Sequence, residues 1–154
     1  MPSMFSSADF QAVMGIAVTN AMYEVLERCY RELQKEIQKD IYSAYSPQDY
    51  ARTGDLLTAW KREWHRLSTE LSFDPRLMTL NPSNWQHGSL SDGYTDVRDV
   101  LIDILASGYR AYNAQKGKPI PARPMWDKFI AKVDRSFYRW MRAALRRQGL
   151  KVVS

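Results

Sequence analysis

The first forty residues carry an uninterrupted helical pattern, and its length limits how the chain can fold. Apolar side chains recur at steps of three and four along one side of this segment: Phe10, Val13, Met14, Ala17, Ala21, Val25, Cys29, Leu33 and Ile37. Charged side chains fill the other side from Glu24 to Lys39. This period predicts one amphipathic helix, capped by Ser7 or Asp9, that ends near Ile41 after about 50 Å. Such a helix either spans the whole domain or projects from it toward another subunit.

The middle of the chain predicts a small antiparallel sheet. Pro47 ends the first helix, because proline lacks a backbone donor and disfavours helical geometry in the residue before it. Residues 67–73 alternate apolar and polar side chains, as a half-buried strand does. Asp74-Pro75 is a turn signal, so Arg76–Leu80 is the predicted partner strand. A polar loop follows over residues 81–93.

Two further helices complete the predicted fold. Thr95 or Asp96 caps a short helix that stops at Gly108, and Pro124 begins a final helix that Gly149 closes. At 154 residues the chain has the length of one domain. The expected fold class is α+β in a single domain over residues 1–154. Its parts are a long N-terminal helix (1–44), a small sheet and loops with a short helix (45–123), and an amphipathic basic C-terminal helix (124–149).

The positive charge of the chain is concentrated in its last quarter. The whole chain has a formal charge of +5, from 22 basic and 17 acidic residues. Residues 1–60 hold five basic against eight acidic side chains, and residues 61–117 hold seven of each. Residues 118–154 hold ten basic side chains against only Asp127 and Asp134, a formal charge of +8. The basic character is therefore a local property, associated mainly with the final helix.

Six basic residues of the final helix form a continuous row, here called the basic row. Its members are Lys128, Lys132, Arg135, Arg139, Arg142 and Arg146. Their spacings of three and four keep all six within about 80° of the helix circumference. Like charges at these spacings destabilise a helix, so an acidic partner nearby is expected. Nucleic acid, an acidic helix of a neighbouring subunit and the acidic first segment of this chain all fit that description. With nucleic acid, the contacts would be to phosphates and independent of base sequence.

The sequence offers no catalytic, cofactor-binding or metal-binding residues, and we expect the protein not to be an enzyme. The two histidines, His65 and His87, show no metal-ligand spacing, and no phosphate-binding glycine loop or nucleophile elbow is present. The single cysteine, Cys29, lies on the apolar stripe of the first helix, where a buried structural thiol is expected. With no disulfide and no apolar stretch of about 20 residues, folding in a reducing cytoplasm without a membrane anchor is expected.

Two aromatic residues of the central loop are candidates for a different role. Trp85 and Tyr94 lie on no periodic face that would bury them. They indicate either a subunit contact, where aromatic residues are enriched, or a loop folded over the core.

Two short motifs, taken in order, resemble those of a family of tailed-bacteriophage proteins. Tyr45-Ser46-Pro47 followed by the stretch from Tyr50 to Leu57 (YARTGDLL) is similar to the family's "Y-P…Y-x-R-T-G-x-L" element. Ser107-Gly108 followed by residues 121–126 (PARPMW) is similar to its "E-x-G…A-R-P-F" element. The family comprises tail-completion, head-tail joining and minor tail components, and the resemblance covers about residues 40–148. The matched motif residues are Arg52, Thr53, Gly54, Gly108, Arg123 and Pro124.

The resemblance implies a structural virion protein that assembles at the neck of a tailed phage. Such a protein would be made in the host cytoplasm and form a homo-oligomeric ring, such as a hexamer, around the channel through which the genome leaves. Its partners would be connector or portal-side proteins, tail-tube proteins and, through non-specific contact, genomic DNA. A tail terminator of the same virion and a stand-alone basic nucleic-acid-binding protein are the alternatives. Ser107 replaces a common acidic residue of the family, and Met125-Trp126 replaces its phenylalanine.

Overall fold

A computed structural model describes residues 7–44, 54–65, 68–78, 97–108 and 121–152. Helix α1, Ser7–Ile37, is 31 residues long, and a π-helical turn, Gln38–Tyr42, continues it. The predicted long N-terminal helix is therefore confirmed, together with its end near Ile41. Along its inner side Ala21, Val25, Leu33 and Ile37 are buried, as the apolar period requires.

The sheet is a hairpin of two antiparallel strands, β1 (Trp60–His65) and β2 (Ser68–Phe73). Trp60 pairs with Phe73 at one end of the register and His65 with Ser68 at the other. The second strand is confirmed, but the predicted partner over Arg76–Leu80 is wrong, because the partner precedes β2. A short 3-10 helix, Pro75–Leu77, follows β2 instead.

That 3-10 turn has a local cause. Proline at its first position cannot donate a ladder hydrogen bond, and the Asp74 side chain accepts a hydrogen bond from the Arg76 backbone N–H at 3.0 Å. The two effects close the chain into a turn directly after the strand.

Helix α2 is Val97–Ser107, and helix α3 is Met125–Arg147. Gly108 ends α2 with a φ of 78°, and Gly149 follows α3 with a φ of 82°, so both predicted glycine stops are confirmed. Pro124 is the residue immediately before α3, and Met125 begins the helix. The Arg123 backbone N–H donates to the Leu105 carbonyl at 2.7 Å, which fixes the start of α3 beside the end of α2.

Helices α1 and α3 pack side by side in opposite directions, and two apolar clusters lie between them. One cluster joins both helices to the hairpin; its buried members are Leu33, Ile37, Ile41, Leu56, Trp60, Met125 and Phe129. The other lies toward the end of α3, with Ala21, Val25, Trp140 and Ala144. Because the two alanines are fully buried, the helix backbones approach closely there.

Trp60 connects the hairpin to the helices. Its ring stacks on Trp126 with centroids 5.3 Å apart, and its Nε1–H donates to the Leu56 carbonyl at 2.7 Å. The inner face of the hairpin also carries Arg62, whose guanidinium carbon lies 4.5 Å from the Tyr30 ring centre and which pairs with Glu27 on α1 at 2.9 Å. The fold is α+β and mostly helical, as predicted. No helix in the described ranges is long and apolar enough to cross a membrane.

Candidate interaction surface

The first two members of the basic row form ion pairs with α1. Lys128 Nζ lies 2.5 Å from Asp40 Oδ2, whose side chain is buried apart from 9% of its surface. Lys132 Nζ lies 2.6 Å from Glu32 Oε2 and 3.1 Å from Glu36 Oε1. For these two lysines the acidic partner is therefore the first segment of the same chain, which was one of the three partners predicted.

The ion pairs at Lys132 alter the protonation equilibria of both sides. The hydrogen bond from Lys132 lowers the pKa of Glu32, and a second bond from Lys35 lowers it further. The bond to Glu32 in turn raises the pKa of Lys132. Both groups therefore stay charged over a wider pH range than in the unfolded chain, and the α1–α3 contact is stabilised accordingly.

The other four members, here called the arginine row, have no carboxylate within ion-pair distance in the part of the chain that the structure describes. They are Arg135, Arg139, Arg142 and Arg146. Arg135 Nε donates to the Ala131 carbonyl of its own helix at 2.9 Å, and Arg139 reaches the Ser136 hydroxyl at 3.5 Å.

The arginine row lacks carboxylate partners because the regular spacing of acids on α1 is interrupted one helical turn before Glu32. Arg28 takes that position, with its guanidinium carbon 4.6 Å from the Trp140 ring centre. A fifth arginine thus stands where the regular spacing of acids would continue. The next ion pair along the helices joins Arg147, outside the row, to Glu24.

A shallow, open depression of about 820 Å³ runs along this flank of α3. Four of its nine lining residues are basic and two, Glu36 and Asp127, are acidic. The basic ones are Lys128, Lys132, Arg135 and Arg139. Its shape suits contact with an extended or convex surface more than enclosure of a small molecule. Guanidinium groups bind carboxylates and phosphates through two parallel hydrogen bonds, so the depression is suited to acidic partners of either kind.

An acidic pair, Glu63 and Glu70, lies on the outer face of the hairpin. The register places the two residues directly opposite each other on β1 and β2, and both side chains are exposed. Neither has an ion-pair partner among the described residues, since the adjacent Lys61 binds Asp74 at 2.5 Å and Arg62 is on the inner face. Like charges directly opposite one another destabilise a hairpin.

Asp74 holds the end of the hairpin. Its carboxylate binds Lys61 at 2.5 Å and the Arg76 Nε at 3.0 Å, and its own side chain is only 6% exposed. The hydrogen bonds from Arg76 and then from Lys61 hold the pKa of Asp74 well below its usual range. This cluster fixes the turn after β2, so we assign it a structural role.

The motif residues that the structure describes are positioned at chain reversals and contacts between elements. Gly54 has a φ of 80° and precedes the 3-10 turn Asp55–Leu57, while Gly108 ends α2. Arg123 donates from Nη1 to the Ile41 carbonyl at 3.3 Å, which links the start of α3 to the end of α1. The other predicted site residues, Arg52, Thr53, Trp85 and Tyr94, lie outside the described residues, as does His87.

Several apolar side chains of α1 and α3 are exposed, among them Val13 of the predicted apolar stripe. Val13 and Ile16, near the start of α1, expose 60% and 63% of their surface. On α3 the side chains of Ile130, Phe137 and Tyr138 are also exposed, Tyr138 by 81%. The helical period indicates which side of a helix is apolar, but it does not indicate whether a neighbouring element covers that side along its whole length.

Cys29 and His65 are the described residues whose chemistry is most often catalytic. Cys29 is half-buried between the two apolar clusters, and burial raises the pKa of its thiol. His65 is exposed at the tip of the hairpin. Within the described ranges, no group of three or more His, Cys, Asp or Glu side chains is arranged to hold a metal ion.

The fold and its exterior define a small, mostly helical α+β protein with a row of arginines on one flank of α3 and a pair of glutamates on the outer face of the hairpin. A family model, YomN, matches residues 7–147. The chain therefore belongs to the YomN family, a phage-derived family of Bacillus, which agrees with the phage association predicted from the two motifs. Neither a curated protein nor a solved structure matches the chain significantly.

Proposed function

We propose that the protein is a structural component of a tailed-phage virion that forms a ring at the neck, where it completes the head-tail junction. Two independent findings support this proposal. The chain belongs to a phage-derived family over residues 7–147, and its motifs around Gly54 and Arg123 resemble those of tail-completion and head-tail joining proteins. A tail terminator of the same virion is the nearest variant of this role.

The observation that carries the proposal is the exposed apolar surface at the start of α1, before Ala17, the first buried residue among the described side chains of this helix. Near this end of α1, Asn20 donates a hydrogen bond to Gln148 at the end of α3, and the hairpin tip reaches α1 near Thr19 and Tyr23. Residues 7–16, here called the arm, precede Ala17 and span about 15 Å at 1.5 Å per residue.

This arm carries exposed Val13 and Ile16. Exposed aliphatic side chains on a projecting helix suit insertion between neighbouring subunits, because contact there removes apolar surface from water. In the ring, lateral contacts would be made by these arms. One ring face would meet the connector or portal-side protein, and the other would meet the tail tube.

The proposal is tested by the size of the full-length chain in solution and by its presence in particles. We expect closed rings in negative-stain electron microscopy and native mass spectrometry, and detection of the chain in purified virions. The double variant Val13→Ser/Ile16→Ser should lose the ring while its circular dichroism stays unchanged. Leu77→Ser is the matched control, because Leu77 is 49% exposed but lies after the hairpin. Absence of the chain from virions, or a wild-type chain that stays monomeric with and without purified connector, would contradict the proposal.

A stand-alone nucleic-acid-binding protein is the second candidate, and the arginine row favours it. Four arginines along one flank of α3 can each neutralise a phosphate. Four such contacts predict a slope of about −3.6 for the logarithm of the DNA affinity against the logarithm of salt concentration. Fluorescence anisotropy with unrelated duplexes measures this slope. Arg135→Glu/Arg139→Glu should abolish binding, whereas Arg31→Glu/Lys39→Glu, with the same change in charge on α1, should weaken it only slightly.

A further inference from the structure

The described part of the chain carries two charge clusters of opposite sign that do not meet within one molecule, and all their members except the partly buried Arg142 are exposed. The arginine row on α3 has four guanidinium groups without a carboxylate partner among the described residues, although both lysines of the basic row are paired. The acidic pair, Glu63 and Glu70, has two carboxylates without a cationic partner in the same part of the chain. Each cluster destabilises the element that carries it, through repulsion between like charges at i,i+4 or across the strands.

The spacing of the charges in the two clusters is complementary. Directly opposite residues of an antiparallel hairpin have Cβ atoms about 4.5–5.5 Å apart. Residues three or four positions apart on a helix have Cβ atoms about 5–6 Å apart. Two carboxylates of the acidic pair therefore match two consecutive guanidinium groups of the arginine row, such as those of Arg135 and Arg139. Paired in this way, each cluster would remove the repulsion in the other.

We propose that the arginine row of one subunit binds the acidic pair of a second copy of this chain. The contact joins two different surfaces, on α3 and on the hairpin, so it is heterologous, and its repetition produces a ring when the rotation closes. It rests on the proposed function and adds a second lateral contact of that ring to the one made by the α1 arms. Duplex DNA is the competing occupant of the arginine row, but DNA would leave the acidic pair unmatched.

Charge reversal on each side separately, followed by mixing, tests the pairing. One variant is Arg135→Glu/Arg139→Glu, and the other is Glu63→Lys/Glu70→Lys. The exposed residues Arg31 and Lys39 on α1 supply the control, Arg31→Glu/Lys39→Glu, which matches the first variant in net charge. Assembly of the full-length chains is measured by native mass spectrometry and light scattering at an ionic strength of about 0.15 M. Circular dichroism checks that each variant folds, and anisotropy with a DNA duplex is recorded in parallel.

We expect each reversal to abolish the oligomer and the control to retain it. Mixing the two reversed variants should restore assembly, with equal numbers of the two chains in each particle. In the mixture, the glutamates introduced on α3 of the first variant face the lysines introduced on the hairpin of the second. The original acidic pair of the first variant faces the original arginine row of the second.

Other results would overturn the pairing in distinguishable ways. Reversed variants that still form rings, or a mixture that stays dissociated, would refute the contact while leaving the ring itself established. Loss of DNA binding in the arginine variant with no effect on assembly would assign the row to nucleic acid. A wild-type chain without any oligomer would refute the ring and this contact together.

Discussion

Replacing Leu33 with alanine tests the assignment of the core between α1 and α3. The Leu33 side chain has no exposed surface and belongs to the cluster that joins both helices to the hairpin. Removing a fully buried leucine side chain down to Cβ costs about 3–5 kcal/mol, because the lost contacts are accompanied by a cavity that rigid neighbours cannot fill. A loss of about 3 kcal/mol lowers the melting temperature of a domain of this size by about 6–12 °C.

Ile16 on the same helix provides the control at a protein concentration where the chain is monomeric, since 63% of its surface is then exposed. With about one third of the side chain covered, Ile16→Ala should cost about 0.7 kcal/mol of burial. The better helix propensity of alanine offsets about 0.4 kcal/mol of that loss. Both variants are compared with the wild-type chain by urea unfolding followed by circular dichroism. Equal losses of stability for Leu33→Ala and Ile16→Ala would refute the assigned burial along α1.

Three further substitutions give expected outcomes that urea unfolding can check. Asp74→Asn should destabilise the chain at neutral pH. Because the folded-state pKa of Asp74 lies below its ordinary value of 3.8, the difference in unfolding free energy between wild type and variant should shrink as the pH falls below that value. Lys132→Met should cost about 0.5–1 kcal/mol, since the pairs with Glu32 and Glu36 are partly solvated; the share due to Glu32 should disappear as the pH falls below its ordinary pKa of 4.5. Gly54→Ala should cost about 1 kcal/mol through backbone strain at positive φ. Steric overlap adds nothing to this cost, since no atom lies within 4 Å of an added Cβ. A Gly54→Ala variant as stable as wild type would contradict that backbone conformation.

Local periodicity was sufficient to predict the helices and the second strand, because each depends on the burial of one side of one segment. The first strand was harder to predict, since Arg62 occupies an inner position among Trp60 and Trp64. A charged residue there breaks the alternation of apolar and polar side chains on which strand prediction depends. It is tolerated because its guanidinium packs over the Tyr30 ring and pairs with Glu27.

The basic row could be predicted from spacing, but its division into paired lysines and unpaired arginines could not. That division depends on how α1 and α3 are aligned, which places Asp40 beside Lys128 and Glu36 beside Lys132. One signal was present in the sequence: acids recur every four residues at 32, 36 and 40, as the two lysines do at 128 and 132. The acidic pair was invisible without the register of the hairpin, because Glu63 and Glu70 are seven residues apart.

The position of Cys29 allows the contact between α1 and α3 to be monitored in the wild-type chain through the reactivity of this thiol. It is the single cysteine of the chain, it packs against both apolar clusters, and burial raises the pKa of its thiol. The thiolate is the nucleophile that attacks an alkylating reagent, so the half-buried, protonated thiol should react slowly until α1 and α3 separate. The labelling rate of an unmodified sequence thus reports how often the helices open, and its change on assembly measures how much a neighbour holds them together.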